Sequence, residues 1–159
     1  MEEKYMKLAL KQAMKAYEKD EVPIGCVIVK DDKVIARAYN LRQTKQQAYA
    51  HAEMLAIQKA CKKIGSWRLE DCELYVTLEP CPMCAGAILQ SRMKRVIYGA
   101  KDPKGGCIDS CMKMYDTKGF NHYPEVLSGI LEEQCSSILT QFFKEKREKK
   151  KQAKMQKSL

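Results

Sequence analysis

Two short clusters carry residue types at a spacing suited to metal chemistry: His51-Ala52-Glu53 and Pro80-Cys81-Pro82-Met83-Cys84. Cysteines three positions apart on a first helical turn share a face. Exposed amide N–H groups and the helix dipole there favour thiolate over thiol, and thiolate is the form that binds zinc. A single C-x-x-C also suits half of a structural zinc knuckle or a redox pair. The chain has no second C-x-x-C to close a four-cysteine site, and the pair lacks a thioredoxin-like setting.

His51 is one of only two histidines. Alone, it reads as a core or capping residue. With the cysteine pair it makes three protein ligands: structural zinc takes four, while catalytic zinc keeps one position for water. Glu53 would supply the remaining function. Positions i and i+2 do not share a face of a regular helix, so both reach a metal only at the helix tip. A glutamate in a first turn can simply complement the dipole. Beside a zinc-activated water it would be a general base and then an acid.

The elements that must position these residues follow from periodicity. Residues 2–19 place Met6, Leu10, Ala13 and Tyr17 on one helical face. Strands are predicted for Ile24 to Lys30 and Lys33 to Tyr39, joined tightly at Asp31-Asp32 and so antiparallel. A helix over 50–64 stops at Gly65. Cys72 to Leu78 reads as a strand running into Pro80, which opens a helix reaching about Gln90. Arg95 to Gly99 is a strand, with a long connection over 100–122 that holds a short helix around 108–115. A short strand, Tyr123 to Leu127, and a final helix from Gly129 to about Arg147 complete the chain. Strands and helices alternate after the opening hairpin, which predicts an α/β fold with a mixed sheet and helices on both faces. Both clusters then fall where strand ends meet helix N-termini, the usual site position in such folds.

The chain has 159 residues, 45% of them hydrophobic, and suits one ordinary globular domain rather than a disordered or fibrous protein. Its net charge is +9, unevenly spread: residues 144–159 hold eight Lys/Arg and two Glu, a net of +6. Such a run attracts nucleic acid or anionic membrane, or simply aids solubility. Residues 148–159 are expected to be a frayed or disordered basic tail following a single domain over 1–147. The charged start has no signal-peptide pattern, and no apolar stretch approaches a membrane span. A cytoplasmic protein is expected, with eight reduced and mostly buried cysteines rather than a disulfide framework.

His51-Ala-Glu53 with Pro80-Cys81-x-x-Cys84 resembles the signature of the zinc nucleoside and base deaminases. The chain is most similar to the bacterial tRNA adenosine deaminase family, to about Arg147. Glu21-Val22-Pro23-Ile24-Gly25, Asn40-Leu41-Arg42, the run from Thr77 to Ala87, Tyr98 to Gly106 and Phe120-Asn121-His122 carry that similarity. The resemblance implies a cytidine-deaminase-like three-layer α/β/α sandwich with a central five-stranded mixed sheet. It also implies a homodimer, one zinc ion per subunit held by His51, Cys81 and Cys84, and Glu53 as proton shuttle. The reaction implied is hydrolytic conversion of adenosine to inosine at the wobble position of a tRNA anticodon stem-loop. Asn40 would hydrogen-bond the flipped nucleoside, with Ala52 also binding substrate. Asp102 would contact the RNA beside it, and Phe143 and the basic residues after it would hold the stem-loop. Each has a plain alternative: Asn40 could close a turn, Asp102 cap the next segment, and Phe143 belong to the core.

The chain departs from the family at two places. Gln47-Ala48-Tyr49-Ala50 replaces the usual Asp-Pro-Thr-Ala before the histidine, and Tyr49 there could alter base stacking or merely pack. Cys107-Ile108-Asp109-Ser110-Cys111 offers two thiols without a third ligand nearby, a poor second metal site. Two other readings stay open. One is a guanine deaminase acting on the free base, and the other a non-catalytic zinc-containing RNA-binding protein.

Overall fold

The computed structural model describes residues 1–158. Helix α1 (Glu2–Glu18) leads into the antiparallel hairpin β1 (Gly25–Lys30) and β2 (Lys33–Tyr39). There follow α2 (Arg42–Lys45), α3 (Ala52–Ile64), β3 (Cys72–Leu78), α4 (Pro82–Gln90), β4 (Arg95–Ala100), β5 (Glu125–Ser128) and α5 (Glu132–Lys157). The strands form one sheet in the order β2-β1-β3-β4-β5. β1 is antiparallel to β3, whereas β3, β4 and β5 run parallel.

The period-2 alternation of the strands divides the core between two faces. Cys26, Ile28, Leu74, Val76, Val96 and Tyr98 point to one side, where Ala52, Ala56 and Ala60 of α3 and Ala85 and Ile88 of α4 cover them. Val27, Val29, Tyr75 and Ile97 point to the other, against Tyr5, Met6 and Ala9 of α1 and Cys135 of α5. The small alanines of α3 let the helix lie close on the sheet. The result is the expected three-layer α/β/α sandwich around a mixed five-stranded sheet.

Several elements differ from the sequence expectation. The short helix α2 was not anticipated; the buried Glu21 carboxylate accepts the Gln43 and Thr44 amides at its start (3.0 and 2.6 Å). α4 begins at Pro82 rather than Pro80, which leaves Cys81 as its N-cap. The connection after β4 holds only a single 3₁₀ turn, Met114–Asp116, in place of a helix over 108–115. The last strand is Glu125–Ser128 rather than Tyr123 to Leu127. α5 starts three residues late because Gly129 and Leu131 hold positive φ angles of 81° and 54°. It also continues well past Arg147, so residues 148–157, expected to be frayed, are helical. Lys, Gln, Glu, Ala and Met make up that stretch, and all are strong helix formers. Leu159 lies outside the described residues.

Candidate metal centre and its pocket

The two clusters meet at the carboxyl ends of the central strands. His51 is the N-cap of α3, with extended backbone (φ −77°, ψ 154°), and Cys81 is the N-cap of α4 (φ −73°, ψ 176°). N-caps are usually Ser, Thr, Asp or Asn, whose side chains bond the first free amides. Neither His51 nor Cys81 makes such a bond. Both side chains instead turn toward each other. Cys81 Sγ and Cys84 Sγ each lie 3.6 Å from His51 Nδ1, and the three donor atoms sit within 4.8 Å of one another.

This spacing fits zinc. Tetrahedral bonds of about 2.3 Å to sulfur and 2.05 Å to nitrogen place the donors about 3.6 Å apart for N···S and about 3.8 Å for S···S. The donor chemistry fits as well. The Cys84 thiol and His51 flank Cys81, and together they outweigh burial and bring the Cys81 thiol down to about 4, so it is a thiolate at neutral pH. Cys84 is driven the other way by its hydrogen bond to Cys81 and by burial. The Cys81 hydrogen bond raises His51 despite burial.

Glu53 satisfies the geometric condition set by its spacing. It is the second residue of α3, nearly fully buried, and it lines the same cavity as His51 and Cys81. Burial pushes its carboxyl up to about 7, against the pull of a backbone hydrogen bond and of His51. A carboxyl that titrates there can both take and return a proton at physiological pH.

The cavity above the cluster has a volume of about 620 Å³. Val22, Ile24 and Leu78 give it an apolar wall, and Leu139 and Phe143 of α5 form another side. Asn40 stands in the wall and also closes a turn: its Oδ1 accepts the Arg42 amide (3.1 Å) and its Nδ2 donates to the Val22 carbonyl (3.2 Å). Asp102 likewise does both things, facing the cavity while its Oδ1 accepts the Lys104 amide (3.2 Å). Phe143 is 42% exposed at the rim, edge-on to the buried Phe142. Ala52 is not brought to the wall: its side chain is fully buried in the core under the sheet. Tyr49 is exposed and also lies outside the wall. Cys107 is buried and Cys111 exposed, and among the described residues they join no metal-ligating group.

Sequence reasoning missed the basic ring. Arg42, Lys101 and Lys104 join Arg147 around the cavity. Their signal was positional: Arg42 follows β2, and the two lysines follow β4 on either side of Asp102. α5 extends the ring outward. At 100° per residue, Leu139, Phe143, Arg147, Lys150, Lys154 and Lys157 fall within an arc of about 80°. Glu145, Glu148 and Gln152 occupy the opposite side. The stripe that lines the cavity thus becomes a row of exposed cations beyond it.

Comparison with known proteins agrees with this arrangement. A model of the MafB19-like deaminase family matches residues 1–147. A tRNA-specific adenosine deaminase of Bacillus subtilis (strain 168) is 58% identical over 152 residues, covering 96% of this chain and 94% of that protein. A structure from work on A-to-I editing by tRNA:A34 deaminases at the wobble position of transfer RNA superposes with a TM-score of 0.83. It is 46% identical and covers 86% of this chain and 99% of that one. The X-ray structure of a guanine deaminase from Bacillus subtilis is 44% identical, with a TM-score of 0.60 over 62% of this chain and 64% of its own. With His51, Cys81 and Cys84 converging at two helix tips beside Glu53, with the family model matching residues 1–147 and with the Bacillus subtilis tRNA-specific adenosine deaminase matched over 96% of the chain, the chain belongs to the MafB19-like deaminase family, alongside the tRNA-specific adenosine deaminases.

Proposed function

We propose that the chain is a zinc-dependent deaminase that converts adenosine to inosine at the wobble position of a tRNA anticodon. The observation that carries this reading is one cavity lined by His51 and Cys81 of a His/Cys/Cys set at zinc spacing, by a carboxyl titrating near 7 and by a rim of cations. His51, Cys81 and Cys84 hold the metal. When bound, zinc supplies the Lewis acidity that makes water nucleophilic near neutral pH. Glu53 takes the proton as water adds to C6 of adenine and delivers it to N1. The carboxyl then takes the proton of the new C6 hydroxyl and passes it to the departing amino group, so the C6–N bond breaks as the carbonyl forms, water is consumed and ammonia released. Asn40 and the apolar wall hold the extruded base, and Asp102 and Phe143 meet its neighbours. Ala52 has only its backbone to offer, at the positive end of α3.

The basic rim argues for a polyanion over a free base, because guanine carries no phosphate to meet Arg42, Lys101, Lys104 or Arg147. The tail belongs to the same reading, with residues 1–147 as the deaminase domain and 148–159 as a basic arm for the stem. Half-buried Leu55, Ile57 and Ile64 of α3, with Met114, offer an apolar face for a second copy, in keeping with a homodimer. All eight cysteines are free, which suits the reducing cytoplasm. No described helix is long and apolar enough to cross a membrane.

The test is direct. The purified protein is incubated with an anticodon stem-loop bearing a wobble adenosine, and separately with guanine. Inosine is the expected product. Xanthine from guanine alone would replace this reading with free-base deamination, and RNA binding without product would replace it with a binding protein.

A further inference from the structure

The loop after β4 carries Lys101, Asp102 and Lys104 into the cavity, yet it has almost no regular structure to hold it there. Its backbone amides converge on one buried carboxylate. Glu79 Oε1 accepts the Asp102 amide (3.1 Å) and the Ser110 hydroxyl (2.5 Å). Glu79 Oε2 accepts the amides of Ile108 (3.1 Å), Asp109 (2.8 Å) and Ser110 (3.0 Å). The side chain is 3% exposed. Gly106 allows the approach: a Cβ there would stand 2.3–2.6 Å from the Glu79 carboxylate. A second tie runs from the Cys107 amide to the Pro80 carbonyl (2.9 Å).

Glu79 precedes Cys81 by two residues and directly follows β3, the strand that delivers it. One side chain therefore sets the register between the metal turn and the loop facing the substrate. Five donors aimed at two oxygens require a carboxylate, because an amide side chain would turn an N–H toward at least one of them. We propose that Glu79 is a positioning residue for substrate recognition: it holds the 101–110 loop so that Asp102 and the two lysines meet the nucleotides beside the target, without touching the reaction itself. This rests on the RNA-deaminase reading above.

The variant is Glu79→Gln. Its amide group settles toward Oε1, where the Ser110 hydroxyl can rotate to accept and only the Asp102 amide loses its partner. Zinc content is expected to remain one per chain. Hydrogen exchange should speed up about tenfold or more over 101–104, with α3 and α4 unchanged. With a wobble-adenosine stem-loop, KM should rise about tenfold and kcat stay within about twofold. Discrimination between stem-loops that differ at the flanking nucleotides should fall. Equal loss of kcat and KM performance together with lost zinc overturns the proposal, because Glu79 would then be a scaffold for the metal turn. Unchanged exchange and unchanged KM overturn it as well. Ser110→Ala, which removes one hydroxyl donor and disturbs no packing core, covers the case of a Gln variant that does not fold. It should raise KM about threefold at constant kcat, and no change in either constant counts against the proposal. If the wild-type protein forms no inosine, the activity reading fails on its own, while the exchange arm still reports on the loop.

Discussion

Neutralising the outer row of α5 isolates its role in binding. In the variant Lys150→Gln/Lys154→Gln/Lys157→Gln, glutamine keeps helix propensity close to that of lysine, so α5 should persist. From Arg147 to Lys157 the row spans ten residues, about 15 Å of helix at 1.5 Å each. Its members stand about 4.5–6 Å apart along the axis, near the spacing of successive phosphates. If each of the three lysines meets one phosphate of the stem, the slope of log K against log salt becomes shallower by about 2.7, at about 0.9 per contact. Over a fourfold rise in salt, from about 50 to 200 mM, the wild-type protein should lose about 40-fold more affinity than the variant. The assay is fluorescence anisotropy with a labelled anticodon stem-loop across that range. Lys7→Gln/Lys11→Gln/Lys15→Gln removes the same charge from the exposed side of α1 and should leave the slope unchanged. Parallel salt lines for wild type and the α5 variant would refute the reasoning and make the tail a solubilising segment. Equal flattening by the α1 control would assign the effect to net charge alone.

Glu53→Ala should keep zinc and bind the stem-loop while losing inosine formation by about 10²-fold or more, and turnover near the wild-type rate removes Glu53 from the chemistry. A strong chelator should abolish deamination and zinc should restore it, with His51→Ala failing to reload by metal analysis; full activity in verifiably metal-free protein contradicts the site. Glu21 tests the pH dependence of stability. Burial raises its carboxyl, but the Thr44 and Gln43 hydrogen bonds outweigh this and leave it below the usual carboxylate range. Its stabilising contribution is therefore present above the unfolded value near 4.3 and fades as pH falls through the lower folded value. Glu21→Gln should cost about 1–2 kcal/mol in urea unfolding at pH 7, a deficit that shrinks as acid protonates the wild-type carboxyl. A deficit that does not vary with pH shows that the hydrogen bonds do not depend on the charge.

Much of this was legible because strong local signals coincided with the fold. Hairpin, strand alternation and helix faces followed from periodicity, since the sheet buries both of its faces and each strand must satisfy two layers. The His51, Cys81 and Cys84 cluster was legible because the C-x-x-C spacing and a His-x-Glu each fell at a helix start, and together they made a three-ligand set. The positions that escaped depend on long-range contacts. α2 exists through the amides that Glu21 collects from twenty-two and twenty-three residues away. The 101–110 loop takes its shape from a carboxylate in another segment. The late start of α5 comes from left-handed backbone at Leu131, a residue type that gives no warning of it. The helical tail was misread because charge was weighed before helix propensity. The basic ring gathers cations from three separate segments, so no local window contains it.

The uncapped tips of α3 and α4 have a consequence for how such a chain can drift. Placing His51 and Cys81 where Ser or Asp would serve as caps forgoes about 1 kcal/mol at each helix. In the metal-free chain, ligation and helix capping are therefore opposed at the same two positions, and bound metal is what offsets the missing caps. A descendant that no longer loads metal gains helix stability by the very substitutions that end the reaction, His51→Asp or Cys81→Ser. The fold makes loss of the reaction easy and its recovery costly. A stabilised, silent copy of this sandwich would carry ordinary caps at those two sites.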